Sequence, residues 1–186
     1  MNVYELGREP TRLTEGRDHD VDRRDFPGRV GFRWYRDIDG KALPRPLEFV
    51  TPEPVAPHTD FPFTSAGYPV MSRRMGQVLA ARALGANLHP VRFLLPNGKP
   101  TNDEYVLFLV PPTKDLFDRD KSVWEPSTLF PEFVGYVSKS VLRWPPTLGV
   151  ALGDVEMKHY VTEEVKQELE ALGVRGVGFW PVETSG

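Results

Sequence analysis

The sequence predicts an α+β fold, a mainly antiparallel sheet with two principal helices, and three observations carry that reading. Asp39-Gly40 stands between aromatic and β-branched residues, and Asn97-Gly98 between two apolar runs. Such dipeptides favour two-residue turns with positive φ, and therefore hairpins over βαβ crossovers. Two stretches, "YPVMSRRMGQVLAARALGANLHPV" (68–91) and "YVTEEVKQELEALGVRGVGFWPV" (160–182), repeat one order: short strand, Ser or Thr, helical stretch, Leu-Gly, strand ending in Pro-Val. Nineteen prolines in 186 residues cut the chain into short elements, while 40% hydrophobic content is enough for one core.

In chain order, "VYEL" predicts a first strand, followed by a polar N-terminal segment that runs to residue 28. The "DHDVD" within it fails as a calcium loop. Counted from Asp18, the sixth and twelfth places hold Arg23 and Arg29, where Gly and Glu are needed. Residues 30–50 predict a hairpin around Asp39-Gly40. Residues 51–69 are Pro-rich and extended, a structured crossing with Phe61 and Phe63 packing down. In the first unit (68–95) Ser72 caps a helix carrying Met75, Val78 and Leu79 at helical spacing, and Gly85 stops it. "NLHPVRFLLP" returns as a strand, Asn97-Gly98 turns, and "DEYVLFLVPP" (103–112) is the most apolar strand. Residues 113–135 read as loop with scattered aromatics, and 136–144 alternate as a strand. In the second unit (158–182) Thr162 is the cap, Glu163 and Glu164 favour the helix dipole, Val165, Leu169 and Leu172 line one face, and Gly173 closes the helix. The two units could cover two parts of one sheet or join a pseudo-symmetric layer; two copies are too few for a solenoid. The whole chain, 1–186, reads as one domain.

The composition narrows the chemistry. With no Cys there is neither a disulfide framework nor a thiolate site. The formal net charge of -3 gives no argument for a nucleic-acid or membrane-surface partner. No uncharged apolar run approaches a membrane span, and the N-terminus shows no signal peptide, so the expected location is cytoplasmic. His19, His58, His89 and His159 stand in no metal-ligand spacing. No GxSxG, P-loop or GxGxxG appears, and Gly173, Gly176 and Gly178 follow a helix instead of opening one. No catalytic residue, metal or cofactor is expected. Asp118 and Ser122 could act as acid and nucleophile, but "DRDKS" suits an Asx turn better.

The duplicated pattern resembles the immunity proteins of bacterial polymorphic-toxin systems first noted in myxobacteria, a family long described only as a domain of unknown function. The likeness spans roughly residues 60–182. The C-terminal unit matches the family's signature of strand, capped helix, Gly-x-x-Gly and Pro-Val. The segment "EYVLFLVPPTKDLFDRDKS" resembles a Tyr-rich strand followed by an Asp…Ser motif, here Asp118 and Ser122. Leu109 and Pro112 stand where the family strand carries Asn. The resemblance implies a cytoplasmic protein that binds and neutralises a cognate protein toxin and is not an enzyme. The alternatives are a hydrolase using Asp118 or a His, and a general protein-interaction module.

A toxin-binding role directs attention to the aromatic, charged stretch 113–133, which also holds Phe117, Phe130 and Phe133. There Lys114, Asp115, Asp118, Arg119, Asp120 and Lys121 form a charged rim among aromatics that include Trp124, and such loops carry variable binding surfaces. The acidic face of the last helix, beginning at Glu163 and Glu164 and continuing through Glu168 and Glu170, is the second candidate. It would mimic a phosphate backbone if the toxin were a nuclease.

Overall fold

The computed structural model describes residues 1–9, 46–64, 69–126, 134–154 and 158–185. The expected hairpin at Asp39-Gly40, the "DHDVD" turn, Tyr68, Phe130 and Phe133 lie outside the described residues. The elements run β1 (Val3–Arg8), β2 (Leu47–Val50), β3 (Val70–Ser72), α1 (Arg73–Arg82), β4 (Asn87–Leu94), β5 (Tyr105–Leu109) and β6 (Pro112–Thr113). They continue as β7 (Val123–Pro126), β8 (Val134–Lys139), β9 (Val141–Leu142), β10 (Val150–Gly153), β11 (His159–Thr162), α2 (Glu163–Ala171) and β12 (Val177–Thr184). The class is α+β, mostly sheet.

Three sheets form. A six-stranded sheet has the order β6-β10-β11-β1-β12-β9, a four-stranded sheet has β2-β4-β5-β3, and β7 pairs with β8. In the large sheet β1 lies between the strands flanking α2, antiparallel to both. In the smaller sheet β5 lies between the strands flanking α1, again antiparallel to both. Three ladders, β10–β6, β12–β9 and β2–β4, are parallel. A hairpin reading of local turns could not foresee these, because each joins segments far apart in the chain.

The helices pack on facing sheet surfaces and on each other. Met75 and Leu79 of α1, Val165 and Leu169 of α2, Val106 and Phe108 of β5, and Leu6, Leu152 and Val161 of the large sheet form one buried cluster. Gly76 permits the close seat of α1, since a Cβ there would come within 2.7 Å of Val106. The far face of the small sheet is a second cluster around Phe49, Phe93 and Tyr105. The far face of the large sheet is a third, in which Val3, Ala151 and Tyr160 meet Leu116, Phe117, Val137 and Leu142.

The helix ends correct three expectations. Ser72 does cap α1, accepting from Met75 N at 3.4 Å. Thr162 holds the same place on α2, but its hydroxyl makes no capping bond. The N–H of Glu163 instead donates to the carbonyl of Asn2 at 3.2 Å, so β1 supplies the acceptor. Gly85 does not close α1. Ala83 does, by turning extended and bridging Val150, and Gly85 takes φ +70 in the following turn. Gly173 (φ +66) does stop α2: its N–H reaches Glu170 O at 3.0 Å and that of Val174 reaches Leu169 O at 3.4 Å, a Schellman pattern. Val174 then packs on the core, and Leu172, expected on the buried face, is left 36% exposed.

Candidate functional site

The stretch 113–126 is more ordered than its composition suggests. After β6 the chain takes φ +55 at Asp115, then buries Leu116 and Phe117. The Phe117 ring stands edge-on to Tyr160 at 6.2 Å and to Trp124 at 5.8 Å. Backbone bonds from Asp118 N to Val141 O (2.8 Å) and from Arg143 N to Leu116 O (2.7 Å) fasten it to β9.

Asp118 and Ser122 complete the attachment. Asp118 Oδ1 accepts from Asp120 N at 3.2 Å, closing an Asx turn, and from Arg143 Nη2 at 3.1 Å. Its carbonyl accepts from Ser122 N at 2.8 Å. Ser122 Oγ donates to Val141 O (3.1 Å) and accepts from Val141 N (3.0 Å). The hydrogen bond from Arg143, helped by one from Ser185 and opposed by desolvation, holds the Asp118 carboxyl down to about 2. It is an ionised, internal anchor. Trp124 is half-buried, and its Nε1 donates to Arg119 O at 3.3 Å.

What remains on the outside is a set of charges. Lys114, Asp115, Arg119 and Lys121 are exposed, and none has an ion-pair partner among the described residues. Arg143 is taken up by Asp118 and Asp120. The tip at 119–121 is therefore a charged turn on a rigid base.

Glu163 and Glu164 lie elsewhere. They begin α2, on the inner side of the large sheet, whereas the 113–126 stretch covers its outer side. Glu163 is engaged: it accepts from the Tyr4 hydroxyl, from Gln167 Nε2 at 3.2 Å and from Lys166 Nζ at 3.4 Å. The Tyr4 bond lowers its carboxyl below the ordinary range. Glu168 pairs with Arg82 and Glu170 with Lys166, so of the four acids only Glu164 has no ion-pair partner among the described residues. Glu163 and Glu164 line an open cleft of about 760 Å³ together with Arg82, Leu84 and Leu148.

Two constellations escaped sequence reasoning. Asp60, in the Pro-rich crossing, accepts from Arg74 Nε and Nη2 (2.8 and 2.7 Å) and from Arg175 N (2.9 Å). Arg74 reaches on to the terminal carbonyls of α2, Leu172 O at 3.1 Å and Gly173 O at 3.4 Å. Burial alone would raise the Asp60 carboxyl, but the bonds from Arg74, Ser72 and the Arg175 N–H outweigh it and lower it. The other is the seat of Trp180, a residue expected in the core or half-buried: it is exposed above Gly7 and Gly178. Its signal was present, a Gly-x-Trp pair on a strand, but nothing marked the Gly7 opposite.

Among the described residues no group of three or more His, Asp or Glu side chains could hold a metal, and no helix is long and apolar enough to cross a membrane. No protein-family model matches the chain, and no curated protein matches it.

Proposed function

We propose that this chain is an immunity protein that binds a cognate bacterial protein toxin stoichiometrically in the cytoplasm and blocks it. The observation that carries the reading is the division of labour in the 113–126 stretch. The Asp…Ser pair that resembles the family motif is spent on holding the loop to β9, which leaves Arg119 and Lys121 uncommitted at the tip. Pre-ordered charges on a loop lower the ordering cost of association and suit specific protein recognition. The same geometry disfavours a hydrolase. Both hydrogen-bonding roles of Ser122 Oγ are taken by one backbone unit, and Asp118 is held by Arg143.

The proposal includes a single, mainly antiparallel domain built from two similar strand–helix–strand units. The ladders support it. Ser72 and Val91 flank Tyr105, as Thr162 and Val182 flank Val3. Pro90 faces Val106 as Pro181 faces Tyr4, and each post-helix strand has a parallel neighbour on its outer edge.

The test is inhibition of the protein encoded by the neighbouring reading frame, with that protein first shown to arrest growth when expressed alone. Co-expression of this chain should restore growth. With purified components, inhibition should rise in proportion to added chain and be complete at one equivalent. Suppression by a small fraction of an equivalent would indicate turnover and overturn the binding mechanism.

A further inference from the structure

On the outer side of the large sheet, Trp180 is 44% exposed. Val3, Glu5 and Gly7 point to this side, opposite Val182, Trp180 and Gly178. Gly7 and Gly178 are cross-strand partners. A Cβ on Gly7 would come within 2.7 Å of the indole, and one on Gly178 within 2.5 Å. The six-membered ring therefore lies down over two bare backbones. Glycine inside a strand loses stability through its unfolded-state freedom and its missing side chain. Two facing glycines beneath one exposed aromatic are a costly way to build a surface, unless the position of that ring matters.

The surroundings suit an anchor. Lys158 pairs with Glu5, the residue directly opposite Trp180, at 3.2 Å, so that charge is internally neutralised. Val182, two residues along, packs into the cluster that includes Leu116 and Phe117. Trp180 and the base of the 113–126 loop thus share one side of the sheet. On that side Arg143 is paired, which leaves Lys114, Arg119 and Lys121 as exposed cations with no ion-pair partner among the described residues.

We propose that Trp180 is the apolar anchor of the toxin interface. Its partner is a surface of the toxin with an apolar recess for the indole and acidic groups opposite Arg119 and Lys121. This rests on the immunity reading and deepens it, since it moves the centre of the interface from the loop to the sheet face. An exposed Trp fixed in one pose loses little freedom on binding, and Trp is enriched among residues whose truncation dominates affinity.

Calorimetric titration of the full chain with the purified product of the neighbouring reading frame tests it. Trp180→Ala should bind at least about 30-fold more weakly. Trp180→Phe, which still covers the glycines, should fall between that and the wild type at an unchanged melting temperature. A Trp180→Ala affinity within about threefold of the wild type would overturn the anchor and leave the immunity reading standing. Absence of binding by the wild type would remove the immunity reading, and the anchor with it. Should Trp180→Ala fail to fold, acrylamide quenching decides. The emission component absent from Trp180→Phe should become shielded when the neighbouring protein is added to the wild type, and unaltered quenching would overturn the proposal.

Discussion

Removing the Asp60 carboxylate should loosen the joint between the two helix units. Asp60 is 4% exposed, yet it receives two bonds from Arg74 and one from the Arg175 backbone. Through Arg74 it also holds a guanidinium against the C-terminal carbonyls of α2. Breaking a buried pair by deleting one partner costs about 3–5 kcal/mol. Here the Arg74 side chain is 43% exposed and can recover water, which discounts the figure. We expect Asp60→Ala to cost about 2–4 kcal/mol, roughly 4–16 °C in Tm for a chain of this size. Arg74→Ala should cost a similar amount, because it leaves a buried carboxylate with fewer donors. The double mutant should cost clearly less than the sum, with a coupling of about 1–3 kcal/mol. Urea unfolding of the four proteins measures the cycle. A coupling near zero, or a cost for Asp60→Ala within about 0.5 kcal/mol of nothing, would refute the reasoning.

Arg119→Glu with Lys121→Glu should weaken binding of the neighbouring protein by about tenfold or more while leaving Tm nearly unchanged, since exposed charges contribute about 0–1 kcal/mol to stability; calorimetry and thermal melts on one sample separate the two effects. His159 is buried against Phe108 with no partner for Nε2 among the described residues, and burial, helped by the nearby Arg8 charge, pushes its imidazole down to about 4. A folded value below the ordinary 6.5 means the contribution is intact above about pH 6.5 and is lost as pH falls through 4, a loss of about 2 kcal/mol by pH 5. His159→Leu should flatten that part of a stability–pH curve from chemical denaturation, and an unaltered slope would refute it. Gly173→Ala meets nothing within 4 Å and should cost only the left-handed backbone penalty, about 1–2 kcal/mol. Gly176→Ala would place a Cβ 2.3 Å from Thr59 Oγ1 and should cost visibly more in the same melts.

Local signals were legible where the chain acts on its near neighbours. Ser72 before a helical period, Gly173 after one, and Asn97-Gly98 between two apolar runs each describe a few residues. The structure answers with a capping bond, a Schellman stop and a turn with Gly98 at φ +78. What was not legible depends on partners far away in the chain. Thr162 resembles Ser72, yet its helix takes an acceptor from Asn2, about 160 residues earlier. "VYEL" reads as a strand, but nothing in it says that it will lie between β11 and β12. The candidate site shows the same limit. Asp118 and Ser122 are visible as a pair, but their use depends on Val141 and Arg143, and so their burial could not be read from "DRDKS".

The bonds that hold the 113–126 stretch explain how it can be both ordered and free to vary. Among the described residues Ser122 Oγ bonds only the backbone of Val141, and the Asp118 carbonyl takes the backbone N–H of Ser122. Trp124 Nε1 likewise reaches the carbonyl of Arg119 and not its side chain. Bonds directed at backbone groups do not depend on which side chain occupies the position. The loop therefore keeps its shape through residues 118, 122 and 124, and through the left-handed backbone at Asp115, while side chains at 114, 119 and 121 bear almost none of the stability. Across the sheet the situation is reversed. There His159, Leu6 and Leu152 share the inner face with Phe108 and Val161, and a change in one is felt by the others. Under the proposed toxin-binding role this separation lets the outer side of the large sheet change without disturbing the inner one.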